Sequence, residues 1–161
     1  MQGDPTILQH LNRLLAGELT AIDQYFLHAE MYRNFGLHEL YERINHEMEE
    51  ERDHARALIA RILFLEGRPD LTRREPLNIG TDVPSMLKND LDLEYAVVHS
   101  LREVIAACEQ ARDYVTREIL EQMLDDTEED HTRWLEQQLW LISQIGLPNY
   151  LQARMGSGSP G

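Results

Sequence analysis

The sequence predicts an all-α protein: a four-helix bundle with a long crossover between its second and third helices and a short fifth helix at the C-terminal end. Three observations lead there. Apolar residues recur at steps of three and four through four long stretches, and β-type alternation is absent. Very short links join the first stretch to the second and the third to the fourth, which makes two antiparallel hairpins. The middle link, roughly residues 67–82, is long and contains Pro69, Pro76 and Gly80, so it can run the length of the bundle.

The first helix is expected from about Pro5 to Asn34, with Asp4 as its cap and Pro5 suited to its first turn. Asn34-Phe35-Gly36 breaks it. The second runs from about His38 to Glu66 and stops at Gly67-Arg68-Pro69. The third begins near Val83, behind Asp82 and with Pro84 close by, and reaches about Ala111. The fourth runs from about Asp113 to Gln144, ending at Gly146-Leu147-Pro148. A fifth, from Asn149 to about Met155, completes one domain over 1–155, and residues 156–161 read as a flexible tail.

Net charge is −14, from 15 basic and 29 acidic residues, which argues against nucleic acid or an anionic membrane as partner and suits attraction of cations. The single cysteine, Cys108, permits no intrachain disulfide and suits a reducing compartment. The first ten residues read as no signal peptide, and no uncharged run approaches the ~20 residues of a membrane span, so a cytoplasmic protein is expected.

Each predicted helix carries a glutamate in the middle of its apolar seam: Glu18, Glu51, Glu94 and Glu128. Of seven histidines, only His54 and His131 have a glutamate three residues earlier, in "ERDH" and "EEDH". On an α-helix positions i and i+3 share a face, so each such pair can converge on one ion. Glu18 precedes Glu51 by 33 residues and Glu94 precedes Glu128 by 34. Each hairpin thus repeats Glu, then Glu-x-x-His, and antiparallel folding brings four carboxylates and two imidazoles to one level of the core. Such a cluster cannot stay empty and fully ionised without large cost. Oxygen and imidazole donors suit iron, manganese or zinc, and four carboxylates neutralise two divalent cations.

The stretch His46–His54, "HEMEEERDH", can be sorted by angle at about 100° per residue. With Glu51 at zero, His54 lies near −60°, Glu47 near −40°, Glu50 near −100° and His46 near −140°. Glu49 and Asp53 fall on the far face as solvated charge, and Arg52 lies near +100°. His46 and Glu50 form an i, i+4 pair beside the expected centre.

These ligand pairs, with "LAGELTAIDQYFLHAEMY" (15–32), "INHEMEEERDHA" (44–55), "RILFLEG" (61–67), "LNIGTDV" (77–83), "EEDHTRWLE" (128–136) and "GLPNYLQA" (146–153), resemble the bacterioferritin family over residues 1–153. The resemblance implies a ferritin-like di-iron domain. Glu18 and Glu94 would be terminal carboxylate ligands, Glu51 and Glu128 would bridge two irons, and His54 and His131 would each bind one. It implies a hollow 24-mer that oxidises Fe(II) with O2 or H2O2 as a ferroxidase, stores a ferric mineral, and draws on a ferredoxin for iron release. His46 and Glu50 resemble an inner-surface iron site of some members, and Tyr25 a tyrosine that can serve as electron donor near the irons.

One position departs from the family. Bacterioferritins hold haem between two subunits through one Met from each, at the position after the bridging glutamate of the second helix. Here that position is Arg52, which cannot supply an axial thioether. Haem is therefore not expected in a homomeric shell. Two assemblies remain open: a haem-free homomeric ferritin, or a mixed shell shared with a Met-bearing bacterioferritin subunit. A third reading, a non-storing di-iron peroxidase or oxidase of the rubrerythrin kind, lacks the Cys-x-x-Cys iron domain those proteins usually carry. His10, His28, His38 and His99 read as surface or packing residues, and Cys108 as a buried free thiol.

Overall fold

The computed structural model describes residues 1–156; the tail expected over 156–161 lies outside them apart from Gly156. The helices are α1 (Pro5–Asn34), α2 (His38–Phe64), α3 (Val83–Gln110), α4 (Tyr114–Asp126), a π-helical segment (Thr127–Thr132), α5 (Arg133–Ile145) and α6 (Leu147–Arg154). The expected bundle forms, with α1 packed on α2 and on α3, and α3 packed on α4 and α5.

Local chemistry sets the boundaries. Asp4 accepts from the Thr6 N–H at the start of α1. Asp82 and Ser85 form a capping box at the start of α3, with Pro84 in its first turn. Asp113 caps α4 through the Thr116 N–H. Between α1 and α2, Gly36 takes φ +80°, a left-handed turn that costs a glycine little. The last helix begins at Leu147, two residues before the expected start, because Pro148 suits the first turn instead of preventing it.

The crossover lies along α1 without secondary structure of its own, so its backbone N–H groups need partners. A ladder of α1 side chains supplies them. Asn12 Oδ1 accepts from Asp70 N, Thr20 Oγ1 from Glu75 N, Gln24 Oε1 from Asn78 N, and His28 Nε2 from Gly80 N. Because His28 Nε2 accepts, its Nδ1 carries the proton and donates to Asp90 Oδ1 at 2.8 Å. His28, read from sequence as a packing residue, is a completely buried link between α1, α3 and the crossover.

Two apolar clusters fill the bundle. One joins Leu11 and Leu15 to Leu58, Ile62, Leu101 and Val104. The other joins Tyr25 and Ala29 to Leu40, Ile44, Met86 and Leu87. Glu18, Glu51 and Glu94 sit in sequence between these clusters, so a buried carboxylate layer lies between two apolar ones.

The fourth helix runs without a break from Tyr114 to Ile145, as expected, but its winding widens to a π turn over Thr127–Thr132. Its inward residues Met123, Thr127, His131 and Leu135 follow three successive steps of four. On a regular α-helix each such step drifts by about 40°. The wider π turn, about 4.4 residues, removes most of that drift. The Arg133 N–H bonds the Glu128 carbonyl, five residues back.

Candidate metal centre

Glu18, Glu51 and Glu94 come from α1, α2 and α3 and are almost completely buried, as are His54 and His131. Glu18, Glu51 and His54 form one group whose ligand atoms lie within 4.8 Å of one another, and Glu51, Glu94 and His131 form a second. Glu51 belongs to both. Its Oε2 is 3.4 Å from His54 Nδ1 and its Oε1 is 2.8 Å from His131 Nδ1. The two imidazoles face each other nearly in parallel, ring centres 6.1 Å apart.

The atoms that face this space are orphans. Glu18 Oε2, both Glu51 oxygens, Glu94 Oε2, His54 Nδ1 and His131 Nδ1 are buried without a hydrogen bond. Buried polar atoms are normally paired, and buried charges pair or bind metals. This donor set, oxygens and imidazole nitrogens converging from four directions, fits divalent first-row cations.

Without cations, protons balance the charge. Burial pushes the Glu18 carboxyl well above its ordinary range, and the Glu51 charge adds to the push. Burial also opposes ionisation of Glu51, but the close approach of Glu18, His131 and His54 outweighs it and holds Glu51 well below the usual value. Burial and the Glu51 charge raise Glu94 to about 7, with His131 and Tyr25 pulling the other way. Burial alone would lower His54, yet Glu18 and Glu51 lift it to about 11. His131 is lifted further against its own burial, by Glu47, Glu51 and Glu94.

Glu128 is not brought to this cluster. It is half-buried on the α3 side, its Oε1 2.6 Å from the Arg102 guanidinium. The π segment explains this. On an α-helix, Glu128 would sit about 60° from His131, but at about 82° per residue it sits about 114° away. Thr127 faces inward instead, fully buried, its hydroxyl bonded to the Met123 carbonyl at 2.8 Å.

Two carboxylates not singled out from sequence do approach. Glu47 Oε2 lies 2.5 Å from His131 Nε2, and its other oxygen pairs with Arg43. Its angle, close to His54 on the α2 wheel, was the available signal. Asp126 Oδ2 lies 3.3 Å from His54 Nε2; only the run of steps of four would have hinted at it. The His46–Glu50 pair forms at 2.6 Å, and Glu50 Oε2 reaches His131 Nε2 at 2.7 Å. Glu47, Glu50 and His131 thus make a third possible metal-holding group, continuous with the first two. Tyr25 donates a short hydrogen bond to Glu94 Oε1.

Cavities reach the cluster from opposite faces of the bundle. One of about 390 Å3 lies between α1 and α3 and is lined by Glu18, Gly17, Arg13 and Glu75. One of about 410 Å3 lies between α2 and α4 and is lined by His54, Glu118, Gln122 and Asp126.

The fold and cluster define a helical-bundle protein with carboxylate and imidazole groups able to hold metal ions at its core. The ferritin family profile, described as "Ferritin-like domain", matches residues 8–145. The chain is 55% identical over 155 residues to a bacterial ferritin of Synechocystis sp., covering 96% of this chain and 99% of that one. It is 56% identical to a bacterial ferritin of Pseudomonas aeruginosa, over 96% of this chain and all of the other. A bacterioferritin of Mycobacterium leprae is 42% identical, over 91% of each chain. The chain belongs to the ferritin family.

Proposed function

We propose that this protein stores iron and is a ferroxidase, oxidising Fe(II) to Fe(III) at the Glu18, Glu51, His54, Glu94, His131 cluster and holding the product in a hollow 24-subunit shell. The observation that carries the reading is Glu51. It is fully buried, shared by two ligand groups, and neither oxygen has a hydrogen bond. A carboxylate so placed is suited to bridge two cations. Family membership points to iron as substrate. O2 or H2O2 takes one electron from each Fe(II), and carboxylate ligands favour the higher charge of the ferric product.

The residues have separate tasks. Glu18 with His54, and Glu94 with His131, hold one iron each. Tyr25 orients Glu94 through one oxygen and leaves the other free. It is also a candidate electron donor. Glu128 is the sixth ligand in this proposal. It joins by leaving Arg102. His46, Glu50 and Glu47 form a chain of donors ending at His131, suited to pass iron between the centre and the α2 surface. Arg52 pairs with Glu49 at 3.7 Å and offers no atom to a haem iron, so the residue at that position does not fit haem. A ferredoxin is the proposed reductant for iron release.

The test is anaerobic Fe(II) loading followed by O2, with ferric absorbance recorded. Wild-type protein is expected to show a fast phase saturating at two irons per subunit. Glu18→Gln should remove that phase. Unchanged fast kinetics in Glu18→Gln would refute the assignment.

A further inference from the structure

Beyond the six-ligand reading, the structure carries an observation about how Glu128 is governed. The π segment interrupts a helix that is otherwise regular on both sides, and it does so beside the buried cluster. Within it, Thr132 is buried and its hydroxyl has no partner, so the segment is not fully satisfied as it stands. Glu128 lies in a groove of about 420 Å3 between α3 and the fourth helix, lined also by Tyr95, His99 and Glu136. Among the described residues the one cation paired with it is Arg102, from the middle of α3, itself largely exposed. Across the helix, the side that Glu128 would face on an α register holds the orphaned oxygens and nitrogens of the cluster.

We propose that Arg102 is a positioning residue that holds Glu128 outside the centre, and that the π segment is a two-position element. This rests on the di-metal reading of the cluster. Divalent cations in the cluster draw Glu128 inward. The π turn then relaxes toward α geometry, which brings the glutamate about 54° closer to His131. The Arg102 pair must break for that to happen, so the pair competes directly with metal binding. An ion pair with both partners partly exposed is weak, so the competition is tunable and not prohibitive. Arg102 thereby sets the affinity of the weaker of the two metal positions without touching the metal.

The test uses the assembled protein, with Co(II) as the probe, read by calorimetry and by the visible absorption of bound Co(II). Arg102→Gln is expected to tighten the weaker Co(II) site by about two- to five-fold, the range an exposed ion pair allows. Arg102→Lys keeps a cation there and should restore wild-type affinity. Glu128→Gln should loosen that site, and adding Arg102→Gln to it should change nothing further, because the two residues act through one pair. Hydrogen exchange of the 127–132 amides should change on Co(II) loading of the wild type.

Unchanged or weaker Co(II) binding in Arg102→Gln overturns the proposal, as does an Arg102→Gln effect that persists in the Glu128→Gln background. The di-metal reading is checked separately by Glu51→Gln. If that variant loses Co(II) while Arg102→Gln changes nothing, the reading stands and the latch alone fails. If wild-type protein takes up no Co(II), both fail.

Discussion

Glu94 and His54 make the metal-free centre sensitive to pH, and the sign follows from their shifts. Glu94 is raised to about 7 in the folded protein, chiefly by burial. As pH rises from the ordinary carboxylate range toward 7, the unfolded chain loses this proton and the folded one keeps it, so stability falls. His54 is raised to about 11 because Glu18 and Glu51 outweigh its burial. Its contribution is fully present below the ordinary histidine value of about 6.5 and is lost as pH climbs toward 11. Both groups act in one direction, Glu94 up to about pH 7 and His54 from about 6.5 upward. The melting temperature of chelator-treated protein should therefore decline from pH 6.5 to 9. Zn(II) binding replaces the protons, releases them to solvent and should flatten that decline. Calorimetry across the pH series checks both; a melting temperature that rises over this interval would contradict the assigned charge balance.

At the scale of elements, the crossover is the part most exposed to a single substitution. Gly80 lies where its N–H meets His28 Nε2, and a Cβ there would fall 2.4 Å from the backbone nitrogen of Met86. No side-chain rotation relieves a clash with backbone. Gly80→Ala should cost about 2–4 kcal/mol, more than ordinary overpacking, and should expose the 67–82 segment to proteases before the bundle melts. Limited proteolysis beside thermal unfolding measures this. The hairpins, the crossover and the depth of Glu18, Glu51 and Glu94 were legible in the sequence, because seam periodicity and link length are local properties. The His28 link was not, since its partners Asp90 and Gly80 lie 62 and 52 residues away. The position of Glu128 was misplaced for a different reason. The spacing Glu-x-x-His implies a shared face only on a 3.6-residue helix, and the inward run Met123, Thr127, His131, Leu135 favours a wider turn. Asp126 entered the cluster by the same shift.

The whole chain presents two kinds of surface. Net charge is −14, which attracts cations toward the bundle and repels like chains that approach within a Debye length of about 8–10 Å, beyond which salt screens it. Phe26, Leu27, Leu71 and Leu77 are nonetheless exposed on α1 and the crossover. Burying large exposed apolar side chains against another chain is favourable at short range and can overcome diffuse repulsion. Assembly into a shell is the outcome expected, and Phe26→Glu should shift purified protein toward dimers or monomers by light scattering while leaving helix content intact. Arg52 then distinguishes the two shells. In a homomer, where the resemblance puts residue 52 of both chains at a two-fold contact, no thioether would be available and a purified shell should show no Soret band. In a mixed shell, a chain carrying Met there can ligate haem against its own copy, and two subunit masses should accompany a Soret band. Intact-subunit mass spectrometry and a visible spectrum on shells taken from the native host decide between them. A Soret band with a single subunit mass would contradict both, because it would require an axial ligand that Arg52 cannot provide.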